Sequence, residues 1–443
     1  MSSFLTAFTA AIAAFAPATL TEEKARADLE AAAQLIRTEH AAPFAHLPEE
    51  DWQAIVDRQL AALSGEVTVL DLHRNLTRMA GALACAHSFV NLPEDFDAPF
   101  KKDAQGFPEP VRIIGGRLFF AGGKLAGQEV LSINGTPAPL VLDAVRNGVV
   151  IDGFGEDRKE GETARRFAYF YATQIDPSPE EFIVSVEGQR RPRRLEPTEG
   201  LSSPQGDPDD PFLEVSASDG ALEVRIGGFY DRDSDGQFTD LLDTVRASLA
   251  NDPAQPVIVD LRGNPGGIDA FGVATIGLFA DEPFTVYDEV TANPGFDREG
   301  YTLEERADGT LTVIGLDGTE ETAPASTEHT GPLIIIVDSR TGSTAADVAS
   351  HLDAFEDAII VGEETTGAYN ANSSGYLDLH VLPNSGARLY LPRFRYITSA
   401  ADDRFIHRGI IPDVPVKTLP EDLRSGRDRA HEVARDIAAG SQR

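Results

Sequence analysis

The chain has a single cysteine, Cys85, among 443 residues. One thiol can form neither an intramolecular disulfide nor a cysteine-based zinc site. The nine histidines are scattered, with no HExxH and no close pair at ligand spacing, so no metal and no cofactor is expected. Basic residues are also short: 38 Lys and Arg stand against 72 Asp and Glu, for a net charge of -34. Nucleic acid and anionic membrane surfaces bind through positive charge, and neither is expected as a partner. The acidity reads as solubility. The apolar run from Phe4 to Phe15 is too short to span a membrane. It reads in two ways. With Ala16-Pro17-Ala18 as a small-residue cleavage site, residues 1–18 would be an export signal and the protein periplasmic or secreted. With no Lys or Arg before Lys24, they could instead be a first amphipathic helix of a cytoplasmic protein.

What is present describes a globular protein: 42% hydrophobic and 25% charged residues, on a chain long enough for two or three domains. Oligomeric state leaves no trace in these numbers. Residues 1–95 read as a helical module. Leu20, Ala25, Leu29, Ala32, Ala33 and Ile36 recur at helical spacing, Trp52, Ile55, Val56, Leu60 and Leu63 share one face, and a third helix starts at Thr68 as cap with Asp71 in its first turn. Residues 96–200 switch to period two around the Gly115-Gly116 and Asn134-Gly135 turns, a small β-rich module. Glu196 to Pro211 is the best linker.

Residues 201–425 then alternate strand and helix. Strands are expected near Leu222–Ile226, Val257–Leu261, Leu333–Val337 and Ala358–Val361, with helices over Phe238–Leu249 and after Ser343. This is the pattern of an α/β core with both sheet faces covered. Residues 284–325 interrupt it as an inserted β-hairpin excursion, and 426–443 form a helical tail.

Three stretches carry chemistry. Val257 to Gly267 runs from a buried strand into a loop with three glycines, Gly263, Gly266 and Gly267, able to aim backbone amides at an oxyanion or phosphate. It lacks both GKS/T and GxGxxG, which excludes a P-loop and a Rossmann fingerprint. Ser343 stands where a buried strand ends and an alanine-rich helix begins, placed either to cap the helix or to attack a carbonyl at the helix's positive end. In the second case the amides of Thr344 and of Gly266 or Gly267 could hold the oxyanion. The third is His87, at the exit from the helical module, a candidate base for Ser343. His351 and His407 are alternatives; His351 lies about two turns into the helix, pointing away from the serine's end. Asp231 to Gly236 imitates the start of a calcium loop, but its twelfth position is Leu242, so it reads as a polar loop entering a helix.

DLRGNPGG at 260–267, TGSTAAD at 341–347, VGEETTG at 361–367 and GIIPDV at 409–414 occur in this order, and together they resemble the tail-specific (carboxy-terminal-processing) serine peptidase family. The resemblance covers nearly the whole chain. It implies a crotonase-like α/β protease core, the N-terminal helical module, and a PDZ-like module that Gly127 to Gly135 fits. It further implies a serine peptidase acting on peptide or protein substrates, with Ser343 as nucleophile. One branch pairs the serine with a lysine where this chain has Ala368; the other, tricorn-like, uses a histidine that matches His87. That branch also has a serine before the histidine and a glutamate before the GIxPD motif, where Ala86 and Ile406 stand here. Ser88, Glu363, Asp402 and Asp403 are therefore open candidates for orienting His87. A peptide- or hydrophobic-ligand-binding protein of the same fold, without catalysis, is the alternative. An acyl-transfer relative fits less well, since no coenzyme A-binding signal is visible.

Overall fold

The computed structural model describes residues 19–201 and 212–440, apart from 219, 233, 297, 298, 308 and 326–328. Residues 1–18, read above either as an export signal or as a first helix, and linker residues 202–211 lie outside the described residues.

Helices α1 (Glu22–Glu39), α2 (Glu49–Ala62) and α3 (Val69–Gly81) form where the apolar spacing places them. Thr68 caps α3 by accepting the Asp71 N–H at 3.0 Å. Trp52 is fully buried, and its indole N–H donates to the Met79 carbonyl, so α2 and α3 share one core. A short strand β1 (Phe89–Asn91) and helix α4 (Glu94–Asp103) follow. The helical core draws in Phe100 and Ala104, beyond residue 95.

The β-rich module comprises β2 (Val111–Ile114), β3 (Arg117–Phe120), β4 (Glu129–Ile133), α5 (Ala138–Arg146), α6 (Glu160–Arg165), α7 (Phe167–Gln174), β5 (Phe182–Val186) and β6 (Arg193–Leu195). Its sheet runs β6-β5-β4-β3-β2, antiparallel, with Val141, Leu142 and Val145 of α5 packed against Leu118 and Val130. Helices α6 and α7 were not evident in a stretch that reads as period two.

The α/β core follows as β7 (Leu213–Ser218), β8 (Ala221–Ile226), α8 (Gln237–Asn251), β9 (Val257–Asp260), α9 (Asp269–Gly277), β10 (Tyr287–Ala292), β11 (Thr302–Glu305), β12 (Leu311–Ile314), β13 (Leu333–Val337), α10 (Thr344–Phe355), β14 (Ile359–Gly362), β15 (Ala371–Val381), β16 (Arg388–Thr398), β17 (Val414–Pro415), α11 (Pro420–Ser425) and α12 (Arg429–Ala438). Its main sheet has the order β7-β8-β9-β13-β14-β17, parallel apart from β7. The unbroken LIIIV run of β13 follows from burial on two faces. Leu333, Ile335 and Val337 pack in the cluster holding Leu241, Val348 and Leu352, while Ile334 and Ile336 pack with Ala434 and Ile437 of α12.

The excursion at 284–325 is more than a hairpin: β10 pairs with β16, giving a second sheet, β11-β12-β10-β16-β15, with β1 also on β16. The β15–β16 hairpin reaches the helical module. Its Leu389 and Leu391 enter the helical core, and the buried Asp28 carboxylate accepts the Asn384 and Ser385 amides at 3.0 and 2.7 Å. The sites of chemistry therefore sit where three packed bodies meet.

Candidate active site

Strand β13 ends at Asp338, whose carboxylate accepts the N–H groups of Gly263 (2.8 Å) and Arg340 (3.0 Å). The Thr341 hydroxyl donates to the Leu261 carbonyl, and Gly342 N–H donates to that of Asn264. The turn before Ser343 is thus stitched to the glycine loop. Asn264, fully buried, in turn donates to Ile226 O at 3.0 Å and accepts Gly266 N–H at 2.8 Å. Held this way, Ser343 takes φ 51° and ψ -137° at the head of α10. That is a strained conformation for a residue other than glycine, and Ser343 makes no side-chain cap bond to the helix. Gly266, at φ 101°, lies so close that a β-carbon on it would come within 2.6 Å of Ser343 Cβ, so no other residue fits there without displacing the serine.

The two glycines named for the oxyanion differ. Gly266 N–H is committed to Asn264. Among the described residues, the amides of Gly267 and Thr344 have no hydrogen-bond acceptor. The Thr344 hydroxyl ties the helix start to the loop by donating to Gly267 O (3.2 Å) and Asp269 (2.8 Å).

Ser343 and His87 line one cavity of about 510 Å3. Its wall also includes Ser88, Phe89, Asp152 and Arg340. No hydrogen bond joins the serine to the histidine in this structure. Burial lowers the His87 pKa, while the Asp152 carboxylate and the Ser373 backbone raise it. His87 Nδ1 is buried without a partner. Cys85, two residues earlier, is a buried thiol pushed up to about 12 by its surroundings, hence an inert one.

The candidates for orienting His87 separate. Ser88 is buried beside it in the cavity wall, with its hydroxyl next to the Cys85 thiol. The other three lie elsewhere. Glu363 faces Arg112 at 3.3 Å and Ser339 at 3.5 Å, lining a neighbouring pocket. Asp402 is held by Arg404, and Asp403 is exposed in the same short turn. Of the alternative bases, His351 is pushed down to about 4 by burial and packs on Phe284 and Phe355. His407 Nδ1 lies 2.8 Å from His46 Nδ1. The calcium-like loop is a helix entry: Asp231 accepts the amides of Gly236 and Phe238.

The residue sequence reasoning missed is Asp152. It is buried, and one of its oxygens accepts the Ala86 N–H at 2.8 Å, immediately before His87. Nothing in the local pattern marks it: it is one acid in a glycine-rich stretch, joined to His87 only by folding.

Residues 222–416 match the family model described as Peptidase family S41. The matched residues lie within the α/β core. The carboxy-terminal processing protease CtpA of Bacillus subtilis (strain 168) is 26% identical over 202 residues, covering 45% of this chain and 35% of the relative. The chloroplastic carboxyl-terminal-processing peptidase 1 of Arabidopsis thaliana is 33% identical over 119 residues, covering 27% of this chain and 20% of the relative. The matched part thus spans about a third or less of these relatives' own length. Mature CPAF, solved in complex with lactacystin, superposes with TM-score 0.69 at 16% identity, over 94% of this chain and 98% of that one. The S41 likeness read from the four motifs and the mixed α/β architecture are both borne out.

Proposed function

We propose that this protein is a serine-type peptidase that cleaves peptide or protein substrates by a Ser343–His87 mechanism. His87 would take the Ser343 proton as the hydroxyl attacks the scissile carbonyl, then return it to the leaving amine. The amides of Gly267 and Thr344 would hold the tetrahedral oxyanion at the N-terminus of α10, where the helix dipole adds to them. The observation that carries the reading is the strained Ser343 at that helix start, wedged against Gly266 and facing the cavity that His87 shares. Backbone strain of this kind collects at functional sites.

A lysine base has less support. Lys101 is the lysine in the cavity wall, and its ammonium sits 3.0 Å from Asp97. Lys159 and Lys417 pair with Glu156 and Asp157. The fold would be crotonase-like, and the β-rich module, with α5 across its sheet, a PDZ-like holder of extended peptide by strand addition.

The second reading is a ligand-binding protein of this fold without catalysis, favoured by the missing hydrogen bond between Ser343 and His87. Catalytic hydrogen bonds often tighten only with substrate bound, so labelling decides. A fluorophosphonate probe is expected to modify the wild-type protein and to fail on Ser343→Ala and His87→Ala. A wild-type chain that resists the probe at every pH from 5 to 10 is the binding protein instead.

A further inference from the structure

We infer that Asp152 is the positioning residue for His87, supplied by the segment of the β-rich module that joins α5 to α6. The inference rests on the Ser343–His87 reading. Segment 148–161 runs from α5 to α6 and is laced to the site on both sides. Asp152 N–H donates to Thr366 O at 3.2 Å, Gly153 N–H to Ala84 O at 2.8 Å, and Ala86 N–H to Asp152 Oδ1 at 2.8 Å. A β-carbon on Gly153 would fall 2.2 Å from the His407 carbonyl oxygen, so the segment is packed tightly against the backbone there. These bonds bracket His87 and hold a carboxylate close enough for its charge to act on the ring.

Among the described residues, Asp152 Oδ2 and His87 Nδ1 are buried without a partner and line the same cavity, as do His73 Nδ1, Thr77 Oγ1, Ser88 Oγ and the Gln174 amide; of these only Asp152 carries a charge that acts on His87. A buried carboxylate oxygen and a buried imidazole nitrogen each lose their water without replacement. Pairing them as Nδ1–H donating to Oδ2 satisfies both, with the Ser373 backbone, which also acts on the ring, as the competing acceptor. It also fixes the tautomer that leaves Nε2 free to accept the Ser343 proton, and it steadies the imidazolium that forms. The Asp152 charge acts on His87 in the required direction. Other charged or titratable groups face the pair: Arg395 acts on Asp152 and on His40, Arg158 acts on Asp152, and His40 lies near enough to feel His87. Ser88 has a hydroxyl in the wall but no charge to stabilise an imidazolium.

The test is the rate of fluorophosphonate labelling against pH for wild type, Asp152→Asn and Asp152→Glu. Asparagine keeps an oxygen for Ala86 N–H but offers Nδ1 a donor, which selects the wrong tautomer. Labelling of Asp152→Asn is expected to slow by about a hundredfold or more, with the pH midpoint assigned to His87 shifted down. Asp152→Glu is expected to recover part of the rate. An Asp152→Asn protein that labels at the wild-type rate with an unmoved profile overturns the inference. Should that variant not fold, nitrogen NMR of the wild-type ring decides instead: Nδ1 protonated in the neutral state supports the pairing, and Nδ1 bare refutes it. His87→Ala labelling normally would sink the underlying Ser–His reading, a separate outcome.

Discussion

Asp347 lies one turn behind Ser343 on α10 and is fully enclosed. It takes hydrogen bonds from the Tyr287 hydroxyl (2.9 Å) and the Asn372 amide (3.0 Å). Burial first, then the nearby Asp269 charge, hold its carboxyl at about 8, against an ordinary value of 3.8. The folded protein therefore binds this proton more tightly than the unfolded chain does. The stability it contributes is complete below about pH 4 and is lost as pH rises through about 8. The slope reaches at most about 1.4 kcal/mol per pH unit. The buried histidines work with the opposite sign, but their window closes near neutrality: His40 is pushed down to about 3 and His46 to about 4, so their gain is complete once pH passes the ordinary 6.5. Urea midpoints between pH 7 and 9 lie above the histidine window, and the variant separates Asp347 from Glu356, whose carboxyl burial holds at about 7. The wild-type midpoint should fall over that interval, and Asp347→Asn should flatten the fall. An unchanged slope in the variant would mean that Asp347 is already ionised when folded.

Segment 148–161 shows how a loop far away in sequence can govern the site whose wall it helps to build. Arg158, with 1% of its surface exposed, donates to the carbonyls of Thr365 (2.7 Å), Thr366 (2.9 Å) and Phe154 (2.9 Å). At the far end Glu160 accepts Gly116 N–H at 2.6 Å, and Gly161 N–H donates to Ser339 Oγ at 3.1 Å. Arg158→Met would remove the guanidinium donor from the Thr365 and Phe154 carbonyls, while Thr366 O keeps the Asp152 N–H, a loss on the order of 2–3 kcal/mol. It should also slow labelling of Ser343, because Asp152 travels on the same segment. A urea midpoint equal to the wild type's would show that the guanidinium is not what seats this segment. None of this was legible beforehand. The glycine loop, the serine turn and the α3 cap are contiguous patterns whose bonding partners lie within a few residues, or on the next parallel strand of a regular alternation, so sequence exposes them. His87 came through family likeness. Asp152 and Arg158 act through backbone groups far away in sequence, and no periodicity records such a pairing.

At the scale of the molecule, the modules are spatial rather than sequential units. The helical core includes Leu201 and the hairpin residues Leu382 to Leu391, and the β15–β16 hairpin binds it to the α/β core. Short-range regularity announced the helices and the parallel sheet. The two 11-residue strands of that hairpin escaped notice because half-buried strands crossing between bodies lack a clean alternation. The whole also carries a charge of -34. Many of its ion pairs are partly exposed, such as Arg26–Glu22 and Arg246–Asp243, and pairs of that kind contribute about 0–1 kcal/mol each. Screening weakens those pairs but also weakens the long-range repulsion of an excess negative charge, which opposes the compact state. With so large an imbalance, repulsion should dominate. Raising KCl from 0.05 to about 0.5 M, which shortens the screening length to a few ångströms, is expected to raise Tm by several degrees. Chloride is the anion of choice, since sulfate would stabilise through exclusion from the surface. A Tm that stays level or falls would show that local pairing, through contacts such as the Arg262–Asp260–Asp428 set, outweighs the net field.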